Sequence, residues 1–192
     1  MILLGSKLID APVMGLQTGG ELARTHTAII DPATLKILAY EVKGPLLSEN
    51  PALLTVADIR EISSMGLIID SNDDFVSPQD VVKINEIYDL QFPLVGMAVR
   101  DTKRHKLGKV TDYTLDVGGF VVEQLIVKRP LLHSLNDTEL VIHRSQIVEI
   151  NNDAIIVHSE AKTPEPERNE VPGSFVNPFR KTEPLGGQQT SN

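Results

Sequence analysis

The chain has 192 residues, of which 41% are hydrophobic and 23% charged, and its formal net charge is −8. The length suits one large or two small domains. The lack of cysteine excludes disulfides, thiolate zinc sites and a cysteine nucleophile, and the acidic balance argues against general nucleic-acid binding. The apolar start reaches Lys7 and Asp10 too early for a signal peptide, and no apolar run is long enough to cross a bilayer. These features predict a soluble, cytoplasmic protein.

Two copies of one sequence pattern lie within the chain. Residues 12–47 align without a gap on residues 97–132, and the best-matched block is V-K-G-P-L-L at 42–47 against V-K-R-P-L-L at 127–132. The repeat is far longer than the period of a solenoid. It therefore predicts a pair of similar small domains.

Each copy is predicted to form five short strands separated by turns. The apolar stretches that indicate strands are 11–16, 22–30, 35–42, 53–56 and 67–69 in the first copy, and 97–100, 107–115, 120–127, 140–143 and 155–157 in the second. Asp31 and Asp116 each end a strand, where an Asp carboxylate accepts backbone N–H bonds of a turn. Later in each copy, residues 58–62 and 145–150 are predicted to form a short helical turn or bend. Strands this closely spaced indicate a small antiparallel barrel or sandwich.

One helix is predicted between the copies, over residues 78–90. Ser77 can cap it, Pro78 suits its first position and Asp80 complements the helix dipole. Its apolar side chains then recur on one face, which is expected to pack across one barrel. The residues that define this face are Val81, Ile84, Ile87 and Tyr88.

Composition divides the chain into four segments, which are a first copy (1–72), a linker with the helix (73–93), a second copy (94–158) and a tail (159–192). The tail is rich in Pro and Gly and lacks apolar periodicity, which predicts disorder. Within it, a short aromatic and basic segment is predicted to recognise a protein partner. The residues of that segment are Phe175, Asn177, Pro178, Phe179, Arg180 and Lys181.

Both copies resemble PRC-barrel domains, small β-barrels named after the photosynthetic reaction centre. The second copy has the more typical motifs, which are L-V-G-M-A-V at 94–99, L-G-K-V-T-D-Y at 107–113, Q-L-I-V at 124–127 and S-Q-I-V-E-I at 145–150. The first copy departs from the pattern, with Ala23-Arg24 where the family often has Gly-Lys, and with Gly5 farther from its hairpin than Gly96 is. The resemblance covers residues 1–158.

The resemblance implies a mainly β fold, with two small antiparallel PRC-type β-barrels joined by one helix and followed by the disordered tail. PRC-barrels occur in the cytoplasmic part of a reaction-centre subunit, in the C-terminal half of the ribosome maturation factor RimM, and in bacterial double PRC-barrel proteins. Their common feature is contact with other proteins. The function implied is therefore a non-enzymatic cytoplasmic adaptor or scaffold, and the alternative is a ribosome- or RNA-associated maturation factor acting through the second barrel.

Neither a catalytic residue nor a metal or cofactor site is predicted, because the five histidines lack metal-ligand spacing and no phosphate-binding or nucleophile motif occurs. An enzyme or ligand carrier would need a pocket with convergent polar groups between the barrels. Candidate nucleic-acid contacts are four cations of the 100–109 hairpin, which have no aromatic stacking platform beside them: Lys103, Arg104, Lys106 and Lys109. A candidate apolar docking rim consists of Leu46, Leu47, Leu131 and Leu132.

Overall fold

Fourteen β-strands and one α-helix form the framework of the computed structural model, which describes residues 1–45, 47–48, 50–129 and 139–158. The strands before the helix are β1 (Ile2–Leu4), β2 (Pro12–Gly15), β3 (Glu21–Asp31), β4 (Lys36–Lys43), β5 (Ala52–Thr55), β6 (Glu61–Ser63), β7 (Gly66–Ile69) and β8 (Phe75–Val76). The helix is α1 (Val82–Asp89). The strands after it are β9 (Ala98–Asp101), β10 (Lys106–Asp116), β11 (Val121–Lys128), β12 (Glu139–His143), β13 (Ile147–Ile150) and β14 (Ala154–Val157). The mainly β class and all ten predicted strands are thus confirmed.

All the strands belong to one mixed sheet, in which the two repeats use the same pairing pattern. Its main path runs β13-β14-β9-β10-β11-β4-β3-β2-β7-β6. In each repeat an antiparallel meander (β2 to β5, β9 to β12) is followed by a strand that pairs in parallel with the first one, β7 on β2 and β14 on β9. The path ends at β6 and β13 and does not close, so the two-barrel architecture stays a prediction.

The long second strands of the two repeats carry the same irregularities in register. In β3 the pairing shifts between Thr25 and Thr27 and again between Ile29 and Ile30. In β10, shifts lie at the positions that the sequence repeat makes equivalent, Val110 to Asp112 and Thr114 to Leu115. A β-bulge bends its strand and turns a side chain away from the regular alternation. The first shift in each strand leaves one residue unpaired, His26 in β3 and Thr111 in β10.

A left-handed residue precedes the first strand of each meander, at Asp10 (φ +57°) and Gly96 (φ +96°). The Asp10 N–H donates to the Thr25 carbonyl at 2.9 Å, and the Gly96 N–H donates to the Val110 carbonyl at 2.8 Å. The sequence comparison of Gly5 with Gly96 is therefore wrong, because Asp10 holds the equivalent place. Gly5 instead lies against the second repeat, where an added Cβ would come within 2.2 Å of the Tyr113 ring.

The repeats join through a reciprocal pair of backbone hydrogen bonds between β4 and β11. The Ile37 N–H donates to the Phe120 carbonyl at 2.8 Å, and the Val122 N–H donates to the Leu35 carbonyl at 3.0 Å. Leu35 and Phe120 are equivalent in the repeat, and both have positive φ, +58° and +50°. Residue i of one copy thus contacts residue j of the other and j contacts i, as in an isologous interface.

One hydrophobic core extends through both repeats. Its fully buried members include Ile37 and Leu67 from the first and Leu115 and Leu125 from the second. β1 also crosses over and pairs with β10 of the second repeat. The described residues before position 159 therefore form one compact unit. The shared core is larger than one repeat could form alone, and a lone core of that smaller size would be only marginally stable.

The predicted turn role of the two strand-ending aspartates is confirmed. Asp31 accepts the Ala33 N–H at 2.9 Å and the Thr34 hydroxyl at 2.7 Å. Asp116 accepts the Gly118 N–H at 3.4 Å. Both carboxylates are therefore occupied in closing turns.

The helix between the repeats is shorter than the predicted range 78–90. A 3₁₀ turn occupies Pro78–Asp80 with Ser77 and Asp80 as a capping box, and Val81 is extended (φ −126°) before α1 begins at Val82. The helix packs on the first repeat, where buried Ile84 forms a small cluster with Ile29, Ala39 and Leu53. None of the described helices has the length and apolar character needed to span a bilayer.

Residues 58–62 and 145–150 agree only in part with the prediction of a helical turn or bend. The second copy has a 3₁₀ turn at Arg144–Gln146, whereas the first copy has a bend at Asp58. The residues that follow in each copy pair as strands β6 and β13. β6 and β13 are too short for an alternation of apolar and polar residues to identify them as strands.

Candidate functional site

An open cleft of about 480 Å³ lies between the two repeats, and we call it the inter-repeat groove. Its size falls within the range of ligand-binding clefts. β3 and β10 supply facing walls, and the segment after α1 and the turn after β1 supply the rest. The lining residues are Gly5, Ser6, Ile9, His26, Thr27, Ala28, Ile30, Phe92, Pro93, Leu94, Val95, Thr111, Asp112 and Tyr113.

The walls of this groove are equivalent segments of the two repeats. His26 and Thr111 are the residues left unpaired at the equivalent register shifts of β3 and β10, and both line the groove. Bulges often lie beside functional sites because they redirect side chains. The duplicated fold therefore brings its two irregular strands to one place, which could not be read from either copy alone.

Most of the exposed surface of the inter-repeat groove is apolar. Ile9 and Val95 are 39% and 52% exposed, so both present apolar side chains to solvent in the groove. The acidic group of the groove is already partnered, because Asp112 accepts the Ser6 hydroxyl at 2.6 Å and the Ser6 N–H at 3.1 Å. An apolar group can therefore bind in the groove while the Asp112 carboxylate keeps its hydrogen-bond partners.

Two buried tyrosines lie near the junction of the repeats. Burial raises the pKa of the Tyr113 and Tyr40 hydroxyls well above the ordinary value, so both stay protonated at neutral pH. Tyr113 contributes its ring to the groove wall. The Tyr40 hydroxyl is buried without a hydrogen-bond partner among the described residues.

A second cleft, of about 620 Å³, adjoins the inter-repeat groove on the second repeat. We call it the cationic cleft, because four basic residues line it: Lys106, Lys109, Lys128 and Arg129. Its floor is formed by Val95, Gly96, Gly108, Val110 and Thr111. Val95 and Thr111 line both clefts, so the two form a continuous surface.

Among the described residues, the four cations of the cationic cleft have no close acidic partner. Lys109 and Lys128 lie directly opposite each other on β10 and β11, an arrangement of like charges that destabilises a sheet. No acid among the described residues lies within 4.0 Å of any of the four. Glu139 occupies the register position beside Lys128 on β12 without forming an ion pair.

At the same place in the first repeat, one of the two opposed cations is paired with acids. There Arg24 and Lys43 take the opposed positions of Lys109 and Lys128. Glu21 binds the Arg24 guanidinium at 2.9 and 3.1 Å, and Asp10 lies 3.8 Å away. In the second repeat, Lys106 replaces the equivalent of Glu21 and Gly96 replaces that of Asp10. Both neutralising acids are therefore missing from one copy.

The four cations predicted as nucleic-acid contacts fall into two groups. Lys106 and Lys109 line the cationic cleft, whereas exposed Lys103 and Arg104 lie at the tip of the hairpin outside it. At that tip Asp101 accepts the His105 N–H at 2.8 Å and faces its Nδ1 at 2.9 Å. Burial opposes ionisation of Asp101, yet these bonds together outweigh it and lower its pKa.

Lys128 and Arg129 were missed as site residues by the sequence analysis. A signal was present, since aligning the repeats places Lys109 and Lys128 on Arg24 and Lys43 and shows the loss of Glu21. The predicted apolar rim is described only at Leu47, which is half-buried against the core. Leu46, Leu131, Leu132 and the tail segment Phe175–Lys181 lie outside the described residues.

In the described part of the chain, no group of three or more His, Asp or Glu side chains could hold a metal ion. Comparison of the sequence with protein-family models gave no match. Comparison with curated proteins likewise gave no significant match.

Proposed function

We propose that the chain is a non-enzymatic adaptor of the cytoplasm that binds a protein partner through two PRC-type barrels acting together. The observation that carries the proposal is the inter-repeat groove, which has walls from both repeats and exposes Ile9 and Val95. Exposed apolar surface in a cleft is typical of an interaction site. The resemblance to PRC-barrels supports the same conclusion, because contact with other proteins is the common feature of that family.

The test is affinity purification of the full chain from its native extract, in wild-type and paired variant forms. Ile9→Ser with Val95→Ser removes apolar surface from the groove, and Val82→Ser with Leu90→Ser removes comparable exposed surface from α1. A partner is expected to be captured by the wild type and the α1 variant and to be lost from the groove variant. Equal capture by both variants would contradict the assignment of the groove.

The tail segment from Phe175 to Lys181 is proposed as a second contact with the partner. A chain ending at Ser159 keeps the compact unit, so deletion of the tail is a separate perturbation. We expect this deletion to weaken capture of the same partner. Undiminished capture would remove the tail from the proposal and leave the groove.

The alternative function is a ribosome- or RNA-associated maturation factor that acts through the second repeat. The observation in its favour is that Lys103, Arg104, Lys106 and Lys109 are all exposed. Nuclease treatment during the purification separates the two functions, because a protein-mediated complex survives it. Ribosomal proteins that disappear with nuclease would favour the alternative.

A further inference from the structure

We propose that the cationic cleft binds a carboxylate-rich segment of the protein partner, while apolar residues next to that segment occupy the inter-repeat groove. The inference rests on the protein-binding function proposed above and names the chemistry of the segment bound. It follows from charge, from the comparison of the two repeats and from the continuity of the two clefts.

The first step concerns the charge balance at equivalent places of the two repeats. Of the opposed cations Arg24 and Lys43, Arg24 is paired with two acids of the first repeat, so the fold has a means to offset charge at this position. In the second repeat Lys106 stands where Glu21 would supply that acid. Like charges on opposed strands cost stability unless an anion offsets them. Glu139 lies beside Lys128 on β12 but forms no ion pair with it, so an external anion can still bind at this position.

The second step concerns the kind of anion. The cationic cleft has an apolar floor, formed by Val95, Gly96, Gly108 and Val110, and its lining has no aromatic residue. Nucleic acid bound without a stacking platform would leave its bases unrecognised. Peptide carboxylates can pair with the lysines as phosphates can, and apolar side chains next to them on the peptide can pack against the floor of the cleft. The whole chain is also acidic, at −8, which disfavours an extended polyanion.

The third step is the continuity of the surface. Val95 and Thr111 belong to both clefts, so one extended segment can contact the lysines and the apolar groove together. Such a segment needs acidic residues at one end and apolar residues at the other. The charges would mainly accelerate association and fix orientation, and the apolar contacts would prolong the complex.

The experiment measures, by fluorescence anisotropy, the binding to the full chain of a fluorescein-labelled peptide with Glu residues at one end and Leu residues at the other. Lys106→Glu installs the first repeat's residue and is expected to weaken this binding by about tenfold. Lys103→Glu makes the same charge change at the hairpin tip, outside the cleft, and is expected to change it by less than about twofold. Added salt should weaken the wild-type complex, because charges in an open cleft are screened.

Two controls decide the identity of the ligand. The same peptide with Lys in place of Glu should not bind, and an oligouridylate should bind more weakly than the acidic peptide. The inference is wrong if the oligouridylate binds more tightly, if the acidic peptide does not bind, or if both charge variants weaken it equally. Capture of the native partner by Lys106→Glu at wild-type level would overturn this inference and leave the adaptor function intact.

Discussion

Thr25 and Thr114 carry buried hydroxyls in contrasting environments, so the same substitution should change stability in opposite directions. The Thr25 hydroxyl donates to the Leu8 carbonyl at 2.8 Å and accepts the Ala11 N–H at 2.9 Å. The Thr114 hydroxyl oxygen is buried without a partner among the described residues. Valine has nearly the shape of threonine and lacks the hydroxyl, so Thr→Val isolates the hydrogen bonds.

The magnitude follows from the backbone groups that each change leaves behind. Thr25→Val leaves one buried N–H and one buried carbonyl without their partner, at about 1–3 kcal/mol each, so we expect a loss of about 2–6 kcal/mol. Thr114→Val removes a desolvated hydroxyl and leaves no other polar group without its partner, so we expect the free energy of unfolding to rise by about 1 kcal/mol. The repeat supports the predicted gain, since an apolar residue, Ile29, occupies the position equivalent to Thr114.

Urea unfolding of the full chain, followed by circular dichroism, measures both changes as shifts in midpoint at constant slope. A change in slope would show that the substitution altered the extent of unfolding and would void the comparison. The hydrogen-bonding argument would be refuted if Thr25→Val cost less than about 1 kcal/mol, or if Thr114→Val cost as much as Thr25→Val.

Two further predictions concern backbone geometry and pH. Gly66 has φ +122°, and an added Cβ would lie 2.1 Å from the Pro12 carbonyl oxygen, so Gly66→Ala should cost about 3 kcal/mol in urea unfolding. Gly96→Ala, at φ +96° with open space around it, should cost only about 1 kcal/mol, and equal costs would contradict the steric argument. The hydrogen bond from Arg60 lowers the pKa of Asp70 despite opposing desolvation, so this carboxylate contributes stability above its unfolded pKa and loses it as pH falls through the folded one. Arg60→Gln should raise the Asp70 pKa in an NMR titration and reduce this acid-linked loss, whereas an unchanged pKa would exclude the ion pair as its cause.

The sequence predicted the strands well because most of them are apolar runs bounded by turn residues. It missed strands that owe their pairing to distant parts of the chain. β1 is defined by its pairing with β10, which belongs to the second repeat and lies far along the chain. β6 and β13 are too short for an alternation of apolar and polar residues to be distinctive. The helix was overextended because Val81 fits the apolar face, although its backbone is extended.

The candidate site was harder to predict, because it depends on how strands and repeats meet. The run from Lys103 to Lys109 is visible as a basic segment, whereas Lys128 joins it only through the register of β10 and β11. The inter-repeat groove was missed for a related reason. Its walls, from His26 to Ala28 and from Thr111 to Tyr113, are unremarkable within either copy and form a cleft only when the copies are joined.

The reciprocal bonds at Leu35 and Phe120 also have a consequence for stoichiometry. A dimer of two identical chains joined by such bonds would be symmetric about a two-fold axis. Both of its ends would then carry the same charges and the same binding surface. With both copies on one polypeptide, the end that contains Glu21 can remain neutral while the end that contains Lys106 carries the charge. The groove is shared by both copies and the cationic cleft adjoins it on one side only, so the proposed complex would contain one partner per chain, bound in one orientation.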